Sequence, residues 1–103
     1  MLFMLNIDVS VPADVPQERK DELRRRENDR AIELMKEGKL RRIWRIVGQT
    51  ANYSVWEAET LEELHSVVGS MPLYPYMKID VTPVIEHPVT EAWSKVNGPL
   101  PAF

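Results

Sequence analysis

One carboxylate of this sequence lies where a carboxylate is rarely found. Residues from about 16 to 37 predict a helix, whose apolar residues form one stripe at about 100° per residue. The stripe holds Leu23, Ala31, Leu34 and Met35. Glu27 lies four residues beyond Leu23, about 40° round the helix and therefore inside the stripe. Packed against a sheet, such a carboxyl group would be partly desolvated, which raises its pKa and suits a general base that must also return its proton.

Glu27 also admits a purely structural interpretation. A carboxylate inside an apolar stripe can pair with an arginine at the edge of the core, such as Arg30 or Arg45, or extend into solvent. Arg45 needs an anionic partner, because its guanidinium is flanked by Trp44 and Ile46 within a predicted strand. That anion can be a carboxylate side chain or an acidic ligand, and the pattern alone leaves both alternatives open.

Other polar side chains could complete a site. His65 falls on the apolar side of a second predicted helix, where a lone histidine is more often a hydrogen-bonded core residue. The sequence supplies phenol donors at Tyr53, Tyr74 and Tyr76. The last two belong to the stiff run 72–76, Pro-Leu-Tyr-Pro-Tyr, which could wall a pocket or simply pack.

The composition of the 103 residues excludes several kinds of chemistry. The sequence contains no cysteine, which excludes disulfides, thiolate catalysis and thiolate metal sites, and its two histidines lie in different segments. No serine lies in a G-x-S-x-G turn, and the four glycines form no phosphate-binding loop. We expect no structural metal, no transmembrane segment and no signal peptide, and therefore a cytoplasmic protein.

Charge is unevenly distributed along the chain, whose net charge is −3. Residues 19–45 hold 11 of the 13 basic residues and 6 of the 16 acidic ones. Such a segment can bind an anionic ligand or nucleic acid, or it can be a solvated helix in which acidic residues alternate with arginines. RNA binding needs exposed aromatic residues on the first and third strands, flanked by basic residues. The first strand offers only Phe3, on its apolar face. We therefore expect no nucleic-acid partner.

Alternation and helical spacing predict six elements. We expect strands at residues 3–11, 40–48, 51–58 and 76–85, and helices at residues 16–37 and after Thr60. Asp14 is expected to cap the first helix, with Pro16 in its first turn and Gly38 at its end. Thr60 and Glu63 form a capping box for the second helix. The order βαββαβ, with a hairpin between the middle strands, predicts a ferredoxin-like α+β fold: an antiparallel sheet with two helices on one face.

The predicted sheet has a second apolar face. The two hairpin strands are apolar on both sides, and two helices can cover only one side. We expect the other side to contact another subunit, because large exposed apolar patches are uncommon in monomers. The domain is expected to span residues 1–88. The proline-rich tail 89–103, with Trp93 and Phe103, is expected to be an arm on a neighbouring subunit rather than a core element.

Two blocks of the sequence resemble those of muconolactone Δ-isomerases. The first, W-R-x-x-G-x-x-A-N-Y-S, occupies residues 44–54, and the second, P-L-[FY]-P-Y-M, occupies residues 72–77. Met1–Phe3, Glu63–His65 and the position of Glu27 also fit. At this spacing the joined blocks are specific to the family.

This resemblance, which covers about residues 1–88, implies a fold and an activity. It implies a ferredoxin-like subunit of a large homo-oligomer, a decamer, and a cofactor-free enzyme of the β-ketoadipate route from catechol. Such an enzyme is an intramolecular oxidoreductase that moves a proton from C4 to C2 of (+)-muconolactone and gives 3-oxoadipate enol-lactone. The alternatives are a chloromuconolactone dehalogenase of the same family, or a non-catalytic ferredoxin-like oligomer that binds a small acidic ligand.

The same resemblance implies roles for individual residues. Glu27 is then the base that carries the proton, and Arg45 binds the carboxylate of the substrate. Either Asn52 or Tyr53 donates to the oxyanion. Neighbours in a strand point to opposite faces, so only one of these two is expected to face a given pocket. His65 and Tyr76 are further expected pocket residues.

Overall fold

The computed structural model describes residues 1–101 and shows a four-stranded antiparallel sheet with helices packed on one face. The strands are β1 (Leu2–Val9), β2 (Leu40–Arg45), β3 (Ala51–Glu57) and β4 (Met77–Val84). The helices are α1 (Gln17–Lys36), α2 (Leu61–Gly69) and α3 (Pro88–Asn97), and a 3₁₀ turn at Tyr74–Tyr76 precedes β4. The strand order is β2-β3-β1-β4. The predicted α+β, ferredoxin-like class is confirmed.

β1 is a central strand, because it pairs with β3 on one side and with β4 on the other. Its alternation decides which side chains are buried: Phe3, Leu5 and Ile7 are at most 3% exposed. The other elements complete the core with Leu34, Leu40, Trp56, Leu64, Val68 and Met71. Since Leu34 belongs to α1 and Leu64 to α2, both helices lie on this same face of the sheet.

The turn of the hairpin takes more residues than the sequence pattern indicated. β2 ends at Arg45 instead of continuing to residue 48, because the chain turns over residues 46–49, where the Gln49 N–H donates to the Ile46 carbonyl at 3.1 Å. Within the turn, Gly48 has a φ of 81°, a conformation that favours glycine. The hairpin itself is confirmed, with β2 and β3 paired antiparallel.

The C-terminal end of α1 agrees with the prediction, and its N-terminal cap does not. The helix ends at Lys36, and Gly38 follows with a φ of 75°, as expected of a glycine that stops a helix. At the other end the predicted cap, Asp14, was wrong: Pro16 occupies the cap position and no side chain caps the helix. The extended backbone of Pro16, with its φ held at −56°, supplies the non-helical cap geometry without a side-chain acceptor.

The capping box of α2 is confirmed, with one difference. The Glu63 N–H donates to Thr60 Oγ1 at 3.0 Å. The Glu63 carboxylate accepts from the Glu59 N–H at 2.9 Å, one residue earlier than in the usual reciprocal pair. The start of α2 is therefore defined by side chains close to it in the sequence.

The sheet face opposite α1 and α2 retains exposed apolar side chains. Trp44 and Tyr53 face each other across β2 and β3 and are 40% and 46% exposed. Met4 and Val55 form the neighbouring pair between β1 and β3 and are half-buried. We call the surface formed by these four residues the open face.

The tail contains a helix that the sequence analysis did not predict. α3 begins at Pro88, where a missing N–H costs nothing, and the His87 side chain caps it by accepting from the Val89 N–H at 3.1 Å. No described side chain of α3 is buried, so the tail adds no core element. Phe103 lies outside the described residues. Within residues 1–101, no helix combines the length and apolar character needed to cross a bilayer.

Ser54 supplies the hydrogen-bond partner of a buried indole. Its side chain is fully buried, and its Oγ accepts from Trp56 Nε1 at 2.8 Å. Ser54→Ala leaves that N–H without its acceptor, so we expect the free energy of unfolding, measured by urea denaturation, to fall by about 1–3 kcal/mol. The exposed Ser10, replaced by Ala, is the control. Equal stability of the two variants would contradict the prediction.

Candidate active site

A cavity of about 450 Å³ opens between α1 and the helix-covered face of the sheet, and we call it the α1 cavity. Its apolar lining includes Ile7, Val9, Ala31, Leu40, Ile43, Trp56, Met71, Leu73 and Met77. Its polar lining is formed by Lys20, Arg24, Glu27, Asn28, Arg45, Thr50 and Asn52. A volume of this order accommodates a small organic molecule.

Glu27 projects from α1 into this cavity and is partly buried there. Its Oε1 accepts a hydrogen bond of 2.8 Å from the backbone N–H of Leu73, in the segment between α2 and β4. Burial raises the pKa of the Glu27 carboxyl above its ordinary value of 4.5, and the Leu73 hydrogen bond offsets part of that rise. The carboxylate is thus held in place while its affinity for a proton is increased.

The arginine pairing considered for Glu27 is absent from residues 1–101. Arg30 pairs with Glu33 at 2.9 Å and donates to Ser70 Oγ at 3.0 Å. Among residues 1–101, no Lys, Arg or His nitrogen lies within 4.0 Å of the Glu27 carboxylate. Its hydrogen-bond partner within residues 1–101 is the Leu73 backbone N–H, which leaves the second carboxylate oxygen available to a ligand.

Arg45 and Asn52 line the α1 cavity from the sheet side. They face each other across β2 and β3, so their side chains share one face of the hairpin. Asn52 Oδ1 is buried and has no hydrogen-bond partner within residues 1–101. Rotation about the last side-chain bond exchanges the oxygen and the NH₂ group of an amide, so this position can present either an acceptor or a donor to a ligand.

The other three residues nominated from the sequence do not line this cavity. Tyr53 follows Asn52 in β3 and therefore lies on the open face, 46% exposed. His65 lines a separate cavity of about 300 Å³ between α2 and the sheet. Its ring packs edge-on against the ring of Tyr74, with 6.3 Å between the ring centroids. Tyr76 is half-buried in the 3₁₀ turn, and its carbonyl accepts from the Ser10 N–H.

Sequence reasoning missed four polar residues of the cavity, Thr50 and three residues of α1, and a sequence signal exists for the three on α1. Lys20, Arg24 and Asn28 are spaced four residues apart on α1, so they lie on the same side of the helix as Glu27. Counting helical angles for charged residues, and not for apolar ones alone, would have placed them together. The Leu73 N–H carries no such signal, since it is a backbone group 46 residues away.

The arrangement in the α1 cavity is suited to moving a proton within a small acidic molecule. A carboxyl group whose pKa is raised by burial binds a proton more readily than an ordinary carboxylate, which suits a group that must accept a proton and return it. Arg45 and the amide of Asn52 can stabilise negative charge opposite to it. Within residues 1–101, the His, Asp and Glu side chains form no group of three that could hold a metal ion. Fold and cavity together define a ferredoxin-like protein with a cavity suited to acid–base chemistry.

Comparison with known sequences identifies the family. The family model for muconolactone delta-isomerase matches residues 1–90. The chain is 47% identical over 88 residues to Muconolactone Delta-isomerase 1 of Acinetobacter lwoffii, an alignment that covers 85% of this chain and 92% of that protein. It is 42% identical over 88 residues to Muconolactone Delta-isomerase of Cupriavidus pinatubonensis, covering 85% and 96%. The chain belongs to the muconolactone Δ-isomerase family.

Solved structures agree with this assignment. The crystal structure of a muconolactone isomerase at 3.3 Å resolution matches with a TM-score of 0.80 and 39% sequence identity, covering 85% of this chain and 92% of that one. A 5-chloro-2-hydroxyhydroquinone dehydrochlorinase from Burkholderia phenoliruptrix, solved with 2,5-dihydroxybenzoquinone, matches with a TM-score of 0.62 and 21% identity, which shows a shared fold. Most of α3 lies beyond the segment that the family model matches.

Proposed function

We propose that this protein is a muconolactone Δ-isomerase, which moves a proton from C4 to C2 of (+)-muconolactone and gives 3-oxoadipate enol-lactone. The observation that carries the proposal is the partly buried carboxylate of Glu27 in the α1 cavity, with a raised pKa and no cationic partner among residues 1–101. Family membership supports the same activity.

The reaction needs a base that removes a proton from one carbon and returns it to another. In the proposed mechanism Glu27 removes the C4 proton, and the electron pair moves through the conjugated system to the lactone carbonyl oxygen, forming a dienolate. The protonated Glu27 then delivers the same proton to C2, and the carbonyl is restored. The two carbons lie on one ring, so a single carboxylate beside it can serve both steps.

The developing oxyanion and the substrate's carboxylate need partners of their own. Asn52 is the proposed oxyanion donor, because it lines the α1 cavity and Tyr53 lies on the open face. Arg45 is the proposed partner of the substrate's carboxymethyl group, since its guanidinium can bind a carboxylate through two hydrogen bonds. His65 and Tyr76 lie outside this cavity, so the proposal gives them no contact with the substrate.

Ultraviolet monitoring of (+)-muconolactone with the purified protein tests the activity directly. We expect turnover without an added metal or cofactor. Chloride release from a chlorinated muconolactone, faster than the isomerisation, would instead favour the dehalogenase. Binding of the lactone without turnover would favour a ligand-binding protein, and either result would overturn the proposal.

The raised pKa of Glu27 predicts the acid limb of the pH profile. The base must be ionised to remove the first proton, so kcat/KM is expected to fall as the pH drops through the pKa of Glu27 in the folded protein. Because burial raises that pKa, the midpoint of this limb should lie above 4.5, the ordinary value. A measured midpoint at or below the ordinary value would show that Glu27 is not desolvated in the working enzyme.

The proposal includes a homo-oligomer, a decamer, in which the open face and the tail contact neighbouring subunits. The exposure of Trp44 and Tyr53 on the open face supports it. So does the short α3, since a ten-residue helix without buried side chains is marginal in water unless something packs against it. A solution mass equal to that of one chain, 11.9 kDa, would contradict the oligomer. We likewise propose the cytoplasmic location expected from the sequence, which cell fractionation tests.

A further inference from the structure

Two cations of α1, Lys20 and Arg24, line the α1 cavity, and they differ from three other arginines of the same helix in having no carboxylate partner within the part of the chain that the structure describes. Arg19 and Arg26 both contact Glu22, at 3.2 and 3.9 Å, and Arg30 contacts Glu33. Lys20 and Arg24 have no carboxylate within 4.0 Å among residues 1–101. Three arginines of α1 that do not line the cavity are thus paired with carboxylates on the helix itself, and the two α1 cations at the cavity are available to an anion.

The spacing of these residues relates them directly to the base. Lys20 and Arg24 are one turn apart, and Glu27 follows Arg24 by three residues, so neighbouring side chains on this side of α1 start about 5–6 Å apart. Arg24 is exposed although it lines the cavity, and Lys20 is half-buried, which places Arg24 at the mouth. An anion bound to Arg24 would therefore lie beside the Glu27 carboxylate, along the same wall.

The substrate class requires a cation at this place. Muconolactone carries its carboxymethyl group on C4, the carbon whose proton is removed, so the carboxylate lies two bonds from the reacting centre. The ionised base and this carboxylate repel each other unless a cation lies between or beside them. Arg45 lines the cavity from β2, so a second cation that could meet the carboxylate from the opposite wall would have to come from α1.

We propose, on the basis of the isomerase function above, that Arg24, assisted by Lys20, binds the carboxylate of the substrate on the α1 side and so determines specificity for acidic lactones. A carboxylate has lone pairs for more than one guanidinium, so Arg24 and Arg45 can bind it from opposite walls. With the carboxylate held beside α1, C4 faces Glu27. Arg24 is thus a specificity-determining residue one turn from the base.

The test compares two substrates in five proteins. The acidic substrate is muconolactone, and the neutral one is the same unsaturated lactone with a methyl group in place of the carboxymethyl group. Arg24→Gln should lower kcat/KM for muconolactone about 10- to 100-fold and change kcat/KM for the neutral lactone less than about threefold. Lys20→Gln should cost about 3- to 10-fold on the acidic lactone alone. Arg24→Lys should recover part of the loss, because it keeps the charge but not the paired donors.

The matched control is Arg25→Gln, which removes the same charge from the next residue, one that is exposed and does not line the cavity. It should leave kcat/KM for both substrates unchanged. Equal losses on both lactones in Arg24→Gln, or no loss on muconolactone, would overturn the carboxylate role while the wild type still supports the isomerase. A wild type that converts neither lactone would instead overturn the proposed function, and the specificity proposal with it.

Discussion

Glu27→Gln is expected to lower kcat for muconolactone by at least about 10³-fold, because general acid–base groups contribute about 10²–10⁴-fold and this one serves both proton transfers. Glutamine has nearly the same shape and can still accept the Leu73 N–H, so the cavity should keep its geometry. What is lost is the ability to take up a proton from carbon. The measurement is steady-state turnover followed by ultraviolet absorbance, with substrate affinity checked separately by an equilibrium method.

The control for this variant is Glu18→Gln, the same substitution at an exposed position in the first turn of α1. It should retain wild-type kcat, which shows that removing a carboxylate from this helix is harmless in itself. Unchanged turnover in Glu27→Gln would remove the mechanism, although the family assignment would stand.

Asn52→Ala is expected to lower kcat about 10²- to 10³-fold with a much smaller change in KM. The reason is that the amide is proposed to interact with charge that appears on the lactone oxygen only in the transition state and the dienolate. Asn52 lines the α1 cavity, and its Oδ1 is buried without a partner in residues 1–101. Rotation about the last side-chain bond puts the NH₂ group in that place, and this group is the proposed donor.

Tyr53→Phe is the matched comparison, because it removes the competing donor from the adjacent residue of β3. Tyr53 lies on the open face, so its phenol cannot reach a substrate in the α1 cavity of the same chain. This variant should keep wild-type kcat. A large loss in Tyr53→Phe together with a small one in Asn52→Ala would reverse the assignment and would place a catalytic phenol at a subunit contact.

The fold was predictable wherever local patterns decide the structure. Alternation in β1 follows directly from burial on one side of a sheet, and Gly38 ends α1 because its positive φ interrupts the helix. Prediction failed where a proline took an unexpected role. Pro16 replaced Asp14 as the cap of α1, and Pro88 began a helix in a tail whose prolines had indicated irregular structure.

The site was predictable only in part, because its geometry depends on long-range pairing. The helical angle of Glu27 relative to Leu23 placed the carboxylate on the covered side of α1 from local spacing alone. Choosing between Asn52 and Tyr53 required knowing which face of β3 meets α1, and this is set by the register with β1 and β2. His65 lies on the apolar side of α2, as Glu27 lies on the apolar side of α1, but α2 borders a different cavity.

The hydrogen bond between Glu27 and the Leu73 N–H joins parts of the chain 46 residues apart. Local contacts within α1 cannot supply the orientation of its carboxylate, which also requires the segment after α2 to be docked. A chain that has formed α1 without this long-range contact would lack the reactive geometry. Competence to act on the lactone is in this way tied to completion of the tertiary structure.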